Sequence, residues 1–369
     1  MAKRRPPFLR LFLLLTLVAV LNVAPINLSH AQQSPAVSDT VIPLEGLDPV
    51  MLAQGKEVQG DMKYQVTRGN FRYLFAGPET KAAFEKDPSR YEIQLDGHCA
   101  RMGAPTTGNP DLYAVHEQRI YVFGSAECQT LFKAAPEKYL EVSTPSSAPT
   151  AEMVKRGQEL LTKVVESLGG ARLDQLSSFQ KTELKTNNVK SNLLIAFPDA
   201  VRQETIRPNV TLTSVITPSE SFFKVNNSIR PMTEADLAVF RKEFHHELIP
   251  LLRARTKSSF KVWAAGSDKV GETTVERLAI ELPNFNTVLG IDPATGRVLS
   301  QTYPGRGPGG VVGEITLNYS DFRSVEGLWL PFKTNATFAG EAYPNLSATV
   351  EAATINGKID AGSFQKPKP

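Results

Sequence analysis

Apolar and polar positions alternate with the period of a half-buried strand over most of this chain, and only a few segments carry the 3.6-residue period of a helix. Tyr64 and Val66 alternate with polar residues, Arg68-Gly69-Asn70 turns the chain, and Phe71, Tyr73 and Phe75 alternate again, which predicts a hairpin. Pro78 then opens a short helix whose Phe84 faces the hairpin, and Pro88 ends it. From Ala151 the spacing of Met153, Leu160, Leu161, Val164, Val165 and Leu168 is helical, with Gly169-Gly170 as the stop. Strands are predicted over 179–185, 193–197, 201–206, 211–216 and 222–225, and again over 261–265, 275–281, 287–291, 297–303, 313–319, 329–336 and 348–355. Between the two sets, Thr233-Glu234-Ala235-Asp236 forms a capping box. It precedes Leu237, Phe240, Phe244, Leu248 and Leu251, the stripe of one amphipathic helix. Many antiparallel strands with few helices define an α+β fold, with a curved sheet packed on helices in the larger part.

Before that larger part the chain nearly repeats itself. Phe71-Arg72-Tyr73-Leu74-Phe75 leads to Phe84, Pro88 and Tyr91, and forty-eight residues later Arg119-Ile120-Tyr121-Val122-Phe123 leads to Phe132, Pro136 and Tyr139. Each copy reads as a hairpin plus a helix. Since such a unit is marginal alone, the two copies are expected to pack on one another. Residues 142–150 are small, polar and proline-bearing and read as a linker. The domains expected are thus a duplicated module over 45–141 and a larger domain over 151–366.

The N-terminus carries Lys3, Arg4, Arg5 and Arg10 without an acid, followed by an apolar run from Leu11 to Val23, which is the layout of a secretory signal peptide. Cleavage after Ala31 removes residues 1–31, leaves 32–44 as a disordered mature tail, and puts the protein in the periplasm or outside the cell without a stable membrane span. It also turns 41 basic against 38 acidic residues into 37 against 38. The mature chain is nearly neutral, so its charge implies no nucleic-acid partner.

Only two cysteines exist, Cys99 and Cys128. In an oxidising compartment a disulfide is their default. The alternative is a metal site, because Gly97-His98-Cys99-Ala100-Arg101-Met102 places an imidazole, a thiol and a thioether within five residues. A set of His98, Cys99, Met102 and Cys128 suits copper(I) better than zinc, for which a thioether is a poor ligand. His116 is a spare donor. The second copy resembles the YHS domain family, whose pattern has an aromatic strand, a turn F-C-S-x-x-C, a phenylalanine four on, and P-x-x-Y. Phe123-Gly124-Ser125-Ala126-Glu127-Cys128 keeps the last cysteine and has glycine for the first, while Phe132, Pro136 and Tyr139 match. Asp48-Pro49-Val50 resembles that family's opening D-P-V-C-G-M, with Met51 in place of its cysteine. That resemblance implies copper or haem-iron handling.

The stretch from Tyr319 to Phe332, with Ile355-Asn356-Gly357-Lys358-Ile359-Asp360 and Ser363-Phe364 after it, is similar to the outer-membrane lipoprotein-sorting (LolA/LolB-like) superfamily. This resemblance implies a half-open barrel whose apolar interior holds acyl chains or another hydrophobic ligand. A binding protein rather than an enzyme follows, with the metal reading as the alternative. A hydrolase is a further alternative, although no serine or cysteine sits in a nucleophile elbow. Glu243-Phe244-His245-His246-Glu247 reads as a solvated helix face and Gly305 to Gly310 as a mobile surface loop. Trp263 and Trp329 read as core or cavity lining.

Overall fold

The computed structural model describes residues 40–104, 106–140, 148–185 and 189–367. The expected signal peptide, most of the tail and most of the linker lie outside these residues. In the first part, α1 (Pro49–Ala53) precedes a hairpin of β1 (Asp61–Arg68) and β2 (Phe71–Phe75), then α2 (Pro78–Lys86) and α3 (Pro88–Tyr91). The second copy has β3 (Asn109–His116), β4 (Arg119–Phe123) and α4 (Ala126–Ala134).

The duplication is visible in individual hydrogen bonds. Asp48 N donates to Val58 O at 2.8 Å and Cys99 N to Thr106 O at 2.8 Å, while Gly60 N donates to Gly46 O and Gly108 N to Gly97 O, both at 2.9 Å. The copies also share a core. Ile120 and Val122 of the second copy pack with Leu44, Tyr73, Phe75 and Phe84 of the first. Residues 41–44, assigned above to a disordered tail, are part of this unit: Leu44 is fully buried, and Val41 exchanges backbone hydrogen bonds with Asn70 and Arg72. The apolar side chain of Leu44 outweighs the polar composition before it.

The larger part begins with α5 (Ala151–Leu168), capped by Thr150. Strands β5 (Ser178–Lys185), β6 (Val189–Ala196), β7 (Ala200–Arg207), β8 (Val210–Ile216), β9 (Ser221–Val225) and β10 (Ser228–Pro231) follow as an antiparallel meander. Helices α6 (Glu234–Glu243) and α7 (Leu248–Arg253) interrupt it. A second meander comprises β11 (Lys261–Val270), β12 (Thr273–Leu282), β13 (Phe285–Ile291), β14 (Val298–Arg306), β15 (Val312–Val325) and β16 (Leu328–Phe338). After the short β17 (Glu341–Ala342), the last strand, β18 (Ala348–Ile355), inserts between β5 and β16 and joins both meanders into one sheet. Its ends, β10 and β11, do not pair, so the sheet is an open half-barrel. The α+β class expected from the pattern is the observed one, and β10 and β17, of four and two residues, are too short for an alternation to stand out.

The single helix expected over 234–251 is instead two. Glu247 is extended, with φ −82° and ψ 129°. Pro250 explains the break, because a continuous helix would need its absent N–H to donate to His246 O. Helix α7 then buries Leu248, Ile249, Leu251 and Leu252 in the main core with Leu160, Val164 and Leu278. Among the described residues no helix is long and apolar enough to cross a membrane.

Helix α5 approaches β11 as closely as backbones can. A Cβ on Gly157 would lie 2.4 Å from Trp263 Cα, so only glycine fits there. Gly157→Leu is therefore expected to lower the unfolding free energy by about 1–3 kcal/mol, measured by urea denaturation, with the far-ultraviolet spectrum of the sheet retained. An unchanged midpoint would mean that α5 does not pack here.

Candidate functional site

A cavity of about 740 Å³ lies between the sheet's inner face and the α6–α7 segment. Apolar side chains from several strands line it, among them Phe179, Leu193, Leu212, Leu330, Phe332 and Val350, with Val239 and Phe240 of α6 opposite. The duplicated module supplies part of the wall through Leu95, Asp96, His98, Gly103 and Ala104. The segment from Gly305 to Gly310, expected to be a mobile loop, joins the two parts. Arg306 Nη1 donates to Arg101 O at 3.1 Å and to Gly310 O at 3.0 Å. A Cβ on Gly310, at φ +83°, would lie 2.1 Å from Arg101 O, so this contact requires glycine.

Charge sits among the apolar side chains. On β5, Phe179, Lys181 and Glu183 fall on one face by the two-residue period of a strand, and all three line the cavity. Lys181 Nζ contacts Glu183 Oε1 at 2.7 Å and Glu247 Oε2 at 2.7 Å, with Lys181 and Glu183 side chains only 14% exposed. The break at Glu247 is what aims its carboxylate at β5. Burial alone would discharge Lys181, but the two carboxylates outweigh it and hold the ammonium charged. Burial likewise works to raise Glu183, and Lys181 with Lys185 overcomes this and lowers it.

Next to this triad, His246 stacks on Tyr303 with ring centroids 3.8 Å apart, and its Nδ1 lies 3.2 Å from Glu243 Oε2. The Glu243 side chain is exposed, and His246 with the nearby lysines 242 and 185 holds its carboxyl below the ordinary range. His246 Nε2 is buried without a hydrogen-bond partner among the described residues. Tyr319 Oη donates to Gln301 Oε1 at 2.7 Å, and burial pushes both Tyr303 and Tyr319 well up, so both phenols stay neutral. The histidines are thus not on a solvated face as expected. The aromatic ring of Phe285, 5.4 and 5.2 Å from His245 and His246, draws them inward. Trp329, by contrast, is 40% exposed and lies under Arg297 rather than in a core or cavity.

Of the four candidate metal ligands, the fold brings together Cys99 and Cys128. Both are buried thiols within one core cluster. His98 turns to the cavity with Nδ1 2.9 Å from Leu95 O, and Met102 is 39% exposed. His116 packs edge-on against Phe132. Among the described residues no group of three or more His, Cys, Asp or Glu side chains is placed to hold a metal ion. Sequence reasoning missed Arg101 beside the thiols and the Lys181 triad. For the triad a signal existed: two charges in phase with Phe179, on the face that must turn inward.

No family model matches the chain, and no curated protein matches it. Among solved structures, it is similar to a DUF1329 family protein from Desulfovibrio piger at 11% identity, over 58% of this chain and 98% of that one, with a TM-score of 0.37. A LolA superfamily protein from Nitrosomonas europaea gives 11% identity over 57% and 97%, with a TM-score of 0.37. A domain described as an outer membrane lipoprotein-sorting protein, from Vibrio parahaemolyticus, gives 11% identity over 57% and 97%, with a TM-score of 0.36.

Two consequences can be measured. Lys181→Met leaves Glu183 buried without its cation, so a loss of about 3–5 kcal/mol at neutral pH is expected, shrinking as acid protonates Glu183. A penalty independent of pH would exclude the ion triad as its cause. Burial, with Lys257 and His246 nearby, pushes His245 down to about 4. The unfolded chain therefore binds one more proton between the ordinary histidine value and about 4, and folding stability falls as pH drops through that window. With solvent screening of the half-buried ring, His245→Gln should remove about 1–2 kcal/mol of this acid loss in urea titrations at each pH.

Proposed function

We propose that this chain is an exported, extracytoplasmic binding protein that carries an amphiphile, its acyl or other apolar tail buried in the half-barrel of the larger part. The observation that carries this reading is the cavity: the sheet's interior is not filled by its own side chains, and apolar residues of β5, β6, β8, β16 and β18 bound the space. Its volume lies in the range of small-ligand sites. Each buried methylene contributes about 0.8 kcal/mol, so roughly ten methylenes give about 8 kcal/mol, the scale of micromolar binding. The Lys181 triad and His246 give the same space a hydrogen-bonding end, which suits a polar head group better than a plain hydrocarbon. Export rests on the N-terminal basic and apolar segments.

Native mass spectrometry after mild purification is expected to show a co-purified lipid. Leu212→Trp and Val239→Trp, which fill the space from opposite sides, are expected to weaken binding of a fluorescent sixteen-carbon acyl probe at least tenfold, with thermal unfolding retained. Equal affinity in both variants and the parent would place the ligand elsewhere.

A further inference from the structure

We propose that Cys99 and Cys128 form a redox-active dithiol that exchanges with the disulfide of another molecule. The duplication serves as an internal control. Cys99 stands where the first copy has Asp48, since each backbone N–H makes the same bond, Cys99 to Thr106 O and Asp48 to Val58 O. Cys128 stands where the first copy has Thr80, by the forty-eight-residue offset that also matches Phe84 with Phe132. Arg101 stands where the first copy has the buried Val50.

In the first copy these positions do structural work. Asp48 accepts from Val50 N at 2.8 Å and Ala76 N at 2.7 Å, and Thr80 Oγ1 donates to Gly77 O at 3.2 Å. The frame therefore folds with oxygen at both places. The second copy keeps the frame and places two buried sulfurs of one core cluster, with a guanidinium beside one of them, where the first copy has oxygens, so the frame does not by itself require thiols.

The surroundings favour one sulfur as the attacking group. Cys128 is the third residue of the nine-residue α4, its backbone N–H donates to Ser125 Oγ at 3.2 Å, and Arg101 Nη1 lies 3.7 Å from Sγ. Burial raises the Cys128 thiol, but hydrogen bonds from Ser125, Arg101 and Cys99 outweigh it and bring it below its ordinary value. Arg101 Nε is buried with no acceptor among the described residues, so the guanidinium's charge is directed to the Cys128 sulfur that its Nη1 faces. Cys99 is fully buried and Cys128 is 7% exposed, which assigns entry to Cys128 and resolution to Cys99.

In the step, the Cys128 thiolate attacks one sulfur of R–S–S–R′, forming a mixed disulfide and expelling R′S⁻. Cys99, losing its proton, then attacks the Cys128 sulfur, forming the Cys99–Cys128 bond and expelling RS⁻. The two protein thiols lose two electrons and two protons, and the incoming disulfide is reduced to two thiols. The reverse sequence regenerates the dithiol.

The test equilibrates the mature protein in glutathione buffers of varied reduced-to-oxidised ratio, followed by alkylation and peptide mass spectrometry. A Cys99–Cys128 disulfide that opens and closes reversibly with the ratio is expected. Cys99→Ser should trap glutathione on Cys128, Cys128→Ser should leave Cys99 unmodified, and Arg101→Met should slow glutathione capture at Cys128 roughly tenfold. Two thiols that stay free in oxidised glutathione, or a bond that stays closed in excess reduced glutathione, would overturn the proposal. Should a variant fail to fold, the order of alkylation in the parent decides, since Cys128 must react before Cys99. None of these readouts depends on acyl binding.

Discussion

The insertion of β18 between β5 and β16 is the constraint on which the rest of the larger part depends. Each meander is built from neighbours in sequence and could form locally, but within the sheet, among the described residues, the two halves are joined through this last strand. Residues Ala348 and Thr349 pair with Lys185 and Leu184 on one side and with Thr334 and Lys333 on the other. The cavity takes its walls from both halves, with Phe179 and Leu193 from the first and Leu330 and Phe332 from the second. Such a joint closes a long loop, so its entropy must be recovered by the core that it completes. That core runs unbroken from Val350 and Ile355 to Leu160, Leu251 and Leu278.

A proline decides the chemistry of the cavity. By breaking the helix before α7, Pro250 leaves Glu247 extended and turned toward Lys181, while the short turn at Phe244–His246 puts His246 on Tyr303. A continuous helix would carry these side chains around its circumference instead. Two carboxylates sharing one buried lysine cost more than an apolar patch of the same volume unless each partner is satisfied. Their distances of 2.7 Å show that they are. The cavity is consequently amphipathic within an apolar wall, rather than uniformly apolar.

The duplicated module shows how one frame accommodates two chemistries. Backbone bonds and the buried aromatic pair of each copy, Phe75 with Phe84 and Phe123 with Phe132, are the same in both copies, and the polar positions around the turn are free to differ. The first copy uses an aspartate to hold the turn and cap α1. The second presents a thiol pair and an arginine whose carbonyl also anchors Arg306 of the larger part, so the sulfurs lie at the joint between the two parts.

What the sequence by itself determined is everything set by short-range period and turn chemistry. The alternation placed twelve of the strands of the larger part, Thr233 with Asp236 announced the start of α6, and the spacing of Phe84 with Phe132 revealed the duplication. Those signals are local, because side-chain direction follows from backbone period alone. The resemblance carried by Tyr319 to Phe332 and the residues after Ile355 likewise pointed to a half-open sheet. Only the tertiary structure decided which strand neighbours which at the seam, that the histidines face inward, that Arg101 lies on Cys128, and that Lys181 finds two carboxylates. Each of these depends on residues distant in sequence, as with Lys181 and Glu247, and no period records a partner sixty-six residues away.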